Sequence, residues 1–349
     1  MTAKTKKYYP ALDIAKFFMA ILIMFAHISS ENVSINPKLK MVFSLYDFAV
    51  PFFFACSGYL FFLHFKAFEQ KNNNSEYINF SKRIGLMYLI WSLIYFGFVL
   101  TGWIINKTET IEILKYFHKA LFFSTYGTIW FLPALWIGVT IVFFLLKKNV
   151  KIEIIGIIAI IMWILGSLGY SYTKLIKGTF IENLYSYYNM IFVTTRNGFF
   201  SGFPMVFIGA YLAFTKENKN NQLINFIGLF ASSSFFVMEA FFIKTSQMGA
   251  NNDMGIMLIP STYFMMKWMI NINIEPRKIF IWMRQMSMVI FLGQRLFITA
   301  IPSLLPIIFI HSLAQKPYLG LLVYSGSVLI FSAFIIKLSK RFKLFKKLW

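Results

Sequence analysis

From Pro10 onward the sequence is a succession of apolar runs about 20 residues long, separated by short polar breaks. A helix of roughly 20 residues, rising 1.5 Å per residue, matches the ~30 Å hydrocarbon core of a bilayer. Within hydrocarbon every backbone N–H and C=O must be bonded inside its own segment, so such runs predict helices rather than open strands. With 58% hydrophobic residues and 43 phenylalanines in 349 positions, the chain holds more apolar surface than one soluble core can cover. The expected fold class is an all-α membrane protein, a polytopic bundle of about ten transmembrane helices. The expected spans are 10–29, 42–65, 84–105, 128–146, 152–171, 190–214, 223–243, 254–272, 286–310 and 318–336. Residues 1–349 read as a single integral-membrane domain, with no appended soluble domain expected.

A net charge of +21 in a soluble protein would suggest nucleic acid, but here the placement of the 34 Lys and Arg residues matters more than their sum. Twenty fall in the two termini and the even-numbered loops, nine in the odd-numbered loops, and Lys16, Arg196, Lys267, Arg284 and Arg295 lie within or beside spans. The positive-inside rule therefore predicts that both termini face the cytoplasm. The tail KLSKRFKLFKKLW interleaves lysines with aromatic and aliphatic residues, which suits a helix lying on the anionic inner leaflet and not a nucleic-acid partner. The lone Cys56 lies in an apolar run, and no cluster has metal-ligand spacing. The first span does not read as a cleaved signal peptide, because Asp13 and Lys16 interrupt it and no small-x-small site follows His27.

That first span, PALDIAKFFMAILIMFAHISS, carries three ionisable residues where each costs at least a few kcal/mol, on the order of 2.5–3.5 at the bilayer centre. Lys16 and His27 are eleven residues apart, close to three helical turns, so they share one face about 16 Å apart. Asp13 joins that face, placed to pair with Lys16 and lower the cost of keeping a lysine in the membrane. A snorkelling interfacial pair accounts for Asp13 and Lys16 without any function. It accounts less well for His27, which ends an unbroken apolar run, and histidine titrates near neutrality as a general base must. Elsewhere, Arg196 sits beside Asn197 and Gly198 and is expected to face a polar cavity. Lys82 and Arg83 stand at a span entrance on the basic side, where ordinary positive-inside residues also stand. Ser57 and Gly58 suit close helix packing, and Trp130 and Trp136 suit aromatic-belt anchors, though a tryptophan wall also stacks on a sugar. Glu239 is the one acidic residue of the seventh span, with Arg295 as a candidate partner.

LDIAKFFMAILIMFAH resembles the first-helix signature of the membrane acyltransferase-3 family, a basic residue and a histidine separated by ten residues. VPFFFACSGYLF at 50–61, IWFLPALWIG at 129–138 and RNGFFSGFPMVFIGAYLA at 196–213 resemble, in order, later segments of the same family. Three positions depart from it: Lys16 where arginine is usual, Leu86 where a second arginine of an Arg-x-x-Arg pair often falls, and Gln294 where many relatives have histidine. The resemblance implies transfer of an acyl group, usually acetyl from acetyl-CoA, to a hydroxyl of a cell-surface carbohydrate, in a bacterial plasma membrane, with no permanently bound cofactor. His27 would be the base or a transient acyl acceptor, supported by Asp13. Lys16, Lys82 and Arg83 would hold the donor's phosphates, and Arg196, Trp130 and Glu239 the acceptor. The ~16 Å from Lys16 to His27 is comparable to an extended pantetheine arm. Two other classes remain open on the residues alone. A secondary transporter of a small solute or amino acid would also show about ten spans and buried charges, and a non-catalytic sensor would tolerate Lys16 and Gln294.

Overall fold

The computed structural model describes residues 8–31, 44–68, 74–215, 222–300, 302 and 315–349, and among these every regular element is helical. Among the described residues twelve α-helices follow one another: α1 Pro10–Glu31, α2 Ala49–Phe68, α3 Ser75–Asn106, α4 Thr110–Phe122, α5 Phe131–Lys147, α6 Ile152–Leu168, α7 Phe180–Phe192, α8 Phe203–Phe214, α9 Gln222–Thr245, α10 Leu258–Ile270, α11 Lys278–Arg295 and α12 Pro317–Arg341. Short 3-10 turns lead into α2 (Ser44–Phe48) and α5 (Thr128–Trp130), and π-helical turns occupy Gly198–Gly202 and Leu296–Ala300.

Six described helical stretches are long and apolar enough to cross a bilayer: Pro10–Glu31, Leu45–Phe65, Ser75–Asn106, Thr128–Lys147, Gln222–Thr245 and Pro317–Arg341. The other expected spans are helical over shorter stretches. The fifth stops at Leu168 and the eighth is only Leu258–Ile270. The ninth starts eight residues before position 286, at Lys278, and its far part beyond residue 302 lies outside the described residues. The sixth is broken. Helix α7 ends at Phe192, Val193 adopts a positive φ of 67°, and the chain is non-helical through Arg196 and Asn197 before winding up again. A β-branched residue in that region is strained by ~1–3 kcal/mol, which here falls three positions before Arg196.

Two helices lie where only loops were expected. Helices α4 and α7 are amphipathic, bury none of their residues and meet at Phe122 and Phe192, whose rings are 5.9 Å apart. The basic tail also departs from the expectation of a surface helix. Helix α12 runs on to Arg341, and the rest forms a 3-10 turn whose Leu348 carbonyl accepts a hydrogen bond from Trp91 Nε1 (3.1 Å).

Small residues bring the central helices together. A Cβ on Gly209 of α8 would sit 2.0 Å from the Ala55 carbonyl oxygen of α2, and one on Gly58 of α2 would sit 2.5 Å from the Val206 carbonyl oxygen. Gly58 thus serves close packing, the common use of small residues in membrane bundles. Gly138 of α5 and Gly202 make a second contact of this kind. Around these seams Phe53, Phe54, Phe131 and Phe291 form a ring cluster with centroid separations of 4.6 to 6.2 Å. Such pairs add ~0.5–1.5 kcal/mol each beyond their burial. The cluster lies next to Trp130 and one turn before Arg295, and so supports the floor of a polar site.

Candidate active site

Helix α1 places charge at both of its ends. Near its start Asp13 is 3% exposed and Lys16 is also buried. The Asp13 carboxylate feels the charge of Lys16, whose side chain points toward Cys56 of α2, and lies 3.8 Å from Arg284 Nη1 of α11. Packing brings Arg284 to the carboxylate, since α1 and α11 lie side by side. Arg83 of α3, exposed and lying 5.9 Å over the Phe80 ring, feels the charge of Arg284. Lys82 beside it is exposed as well. Lys16 and Arg284 therefore flank one buried carboxylate, and Arg83 lies within electrostatic reach of Arg284, so the three cations form a basic cluster.

Three turns along α1, His27 stands in a compact ionic group. Its Nδ1 is 3.1 Å from Arg295 Nη2 and 3.5 Å from Glu31 Oε1. Arg295 Nη1 in turn donates to both Glu31 oxygens, 2.5 Å to Oε1. Glu31 faces His27 because residues four apart share a helix face. Arg295 arrives from the last turn of α11, just where the helix widens into the π turn Leu296–Ala300. Its stem packs on Gly127, whose added Cβ would lie 3.3 Å from Arg295 Cγ and Nε. The His27 side chain keeps 23% of its surface exposed, enough for a reactant to reach it. The Tyr46 ring lies 6.3 Å away.

Beside this group sits a second. Arg196, in the break after α7, forms an ion pair with Asp253 and lies over two rings, 4.8 Å from Trp130 and 5.5 Å from Tyr170. Cation–π contacts of this kind are worth ~0.5–2 kcal/mol each, depending on desolvation. Asn197 accepts from the N–H groups of Phe199 (3.0 Å) and Phe200 (3.4 Å) and so starts the π turn that leads into α8. Both arginines of the site thus adjoin π-helical turns, a geometry often met at functional sites. Asn252 holds the buried Asp47 carboxylate from the α9–α10 connection. Tyr46 beside His27 and Asp47 held by Asn252, next to the Asp253 that pairs with Arg196, bring the two groups together.

Trp130 is therefore a wall of this site rather than a belt anchor, whereas Trp136 is 43% exposed and ties α5 to Ser81 of α3. Glu239 requires a correction. Its partner is not Arg295, which is engaged by Glu31 and His27. Glu239 accepts from Tyr172 Oη and from the N–H groups of Ile256 (2.6 Å) and Met257 (2.9 Å), just ahead of α10. Those N–H groups belong to the turn that enters α10, so the carboxylate caps the approach to that helix and sits at its positive end. Burial and then the Glu239 carboxylate hold the Tyr172 hydroxyl above its ordinary range, which keeps it a donor. Gln294 is fully buried and bonds Phe291 O (3.0 Å), one turn back on its own helix. Sequence reasoning missed Glu31, Asp47, Tyr170 and Asp253. Of these, only Glu31 carried a local signal, its i,i+4 spacing from His27.

Several apolar membrane-length helices enclosing a histidine held by a carboxylate and an arginine define a multi-pass membrane protein with an ionic site between its helices. The chain belongs to the acyltransferase-3 family: the model of its acyltransferase domain matches residues 9–337. It thus carries a membrane acyltransferase-family domain over nearly its whole length. Two matches to Enterococcus faecalis proteins named amino-acid racemase are 27% identical over 263 residues and 33% identical over 140 residues. They cover 73% and 39% of this chain but 35% and 19% of those proteins, so the chain spans about a third or less of the curated relatives it matches. No solved structure matches.

Proposed function

We propose that the protein transfers an acyl group, acetyl in the first instance, from cytoplasmic acyl-CoA to a hydroxyl of a cell-surface carbohydrate. In this reading the chain crosses a bacterial plasma membrane ten times with both termini inside. The basic cluster of Lys16, Arg83 and Arg284, with Lys82 beside it, receives the donor's phosphates. The thioester reaches His27 about 16 Å further along α1. His27 takes the proton of the acceptor hydroxyl as its oxygen attacks the thioester carbonyl, and returns a proton to the departing thiolate. Arg196, Trp130 and Tyr170 line the acceptor's approach. The observation that carries this reading is the partly exposed His27 within reach of Glu31, a carboxylate that can orient a general base, and of Arg295.

The test is acyl transfer, or hydrolysis of acetyl-CoA, by the purified protein in nanodiscs. His27→Ala is expected to abolish turnover with folding intact, and near-normal turnover would sink the assignment. Lys16→Arg should be tolerated, whereas Lys16→Glu should raise the KM for acetyl-CoA more than it lowers kcat, because it sets two carboxylates three residues apart.

A second reading, a carrier for a small solute or amino acid, is favoured by Arg196 standing in a break between helices. Paired and π-stacked, Arg196 is a fixed cation of the kind that binds a carboxylate. Uptake of labelled amino acids into proteoliposomes lacking acetyl-CoA separates this reading from the first.

A further inference from the structure

His27 Nδ1 has two suitors that need it in opposite states. An arginine guanidinium only donates, so the 3.1 Å contact with Arg295 Nη2 requires an unprotonated Nδ1 that accepts. A carboxylate only accepts, so the 3.5 Å contact with Glu31 Oε1 becomes a hydrogen bond only when Nδ1 carries the proton. The shorter contact is the arginine's. In a neutral ring it puts the single proton on Nε2, and a protonated Nε2 cannot take a proton from a hydroxyl. The ring also faces Arg196, whose charge reaches it from the break after α7, and Tyr46 from the turn before α2. Neither is within hydrogen-bond reach of Nδ1 among the described residues.

We infer that Arg295 locks His27 in the Nε2–H tautomer, and that catalysis requires Nδ1 to pass from Arg295 to Glu31. The inference rests on His27 being the base proposed above. In the exchange one proton leaves Nε2 for water and another reaches Nδ1 from water, so the ring stays neutral. Nδ1–H then donates to Glu31 and the bare Nε2 faces the acceptor hydroxyl. Arg295, freed from the ring, keeps its Nη1 bond to Glu31 and offers Nη2 to the thioester carbonyl oxygen, where negative charge develops. Arg295 Nε is buried without a hydrogen-bond partner among the described residues, so the guanidinium has a second donor to spare.

The experiment is ¹⁵N NMR of histidine-labelled protein in nanodiscs, with the His27 signals identified by their loss in His27→Ala. Wild-type His27 is expected to carry its proton on Nε2, and Arg295→Met to move it to Nδ1. Arg295→Lys, which keeps the charge beside Glu31 but lacks the fork, should give a mixture of the two if Arg295→Met fails to fold. Glu31→Gln should leave the Nε2–H tautomer in place while lowering kcat by roughly 10–100-fold at unchanged KM, with partial rescue by Glu31→Asp. A wild-type His27 already protonated on Nδ1, or a tautomer that Arg295→Met and Arg295→Lys leave unmoved, would overturn the lock. Retained transfer by His27→Ala would instead overturn the catalytic reading, whichever tautomer the ring shows.

Discussion

Replacing Gly209 by alanine tests the contact that joins the two halves of the site, since α2 follows Tyr46 and Asp47 and α8 follows Arg196. The added Cβ would lie 2.0 Å from the Ala55 carbonyl oxygen and 2.4 Å from the Tyr59 nitrogen. Ordinary contact begins near 3.4 Å, so α2 and α8 must part by up to 1.4 Å (3.4 less 2.0). Both obstructing atoms are backbone, and no rotamer change relieves them. Overpacking of this kind costs about 1–3 kcal/mol, and this site falls at the upper end. Separation by an ångström also forfeits up to half of the dispersion energy along the seam. Better helix propensity returns about 1 kcal/mol, leaving a net loss of about 2 kcal/mol. Gly326→Ala of α12 is the control, because nothing lies within 4 Å of its added Cβ. Thermal unfolding of both variants in the same detergent, followed by tryptophan fluorescence, should show Gly209→Ala melting several degrees lower and Gly326→Ala unchanged or slightly raised. If Gly209→Ala were as stable as Gly326→Ala, α2 and α8 would not touch as described and the account of the seam would fail.

Asp253→Asn leaves the Arg196 guanidinium without its counter-charge but still over Trp130 and Tyr170, and acyl transfer should fall at least tenfold, about 1.4 kcal/mol, with partial recovery in Asp253→Glu; steady-state kinetics check it. Glu239→Gln weakens charge-assisted bonds to Tyr172, Ile256 and Met257 and should destabilise the protein by ~1.5–3 kcal/mol in unfolding measurements. Because the carboxylate caps the approach to α10, the KM values for donor and acceptor should be unchanged, and a selective rise in acceptor KM would restore Glu239 to the substrate site.

The apolar runs determine by themselves that this chain is a helical membrane protein, because in hydrocarbon each segment must satisfy its own backbone and that requirement is local. The shared face of Lys16 and His27, and Glu31 one turn beyond, follow equally from the pitch of a single helix. The break at 193–197 does not, since Val193 and Arg196 lie in a run of ordinary apolar content and only the packed chain holds the strained turn. Nor do the amphipathic helices α4 and α7, which are too polar for a span pattern and too short to signal alone. The partners of the site are furthest from view. Arg295 reaches His27 across 268 positions and Asn252 reaches Asp47 across 205, while Arg284 from another helix joins Lys16 beside Asp13. Local periodicity tells which way a side chain points from its own helix axis. Which charge it meets depends on how the helices pack, and here glycine seams and aromatic contacts between distant segments decide that.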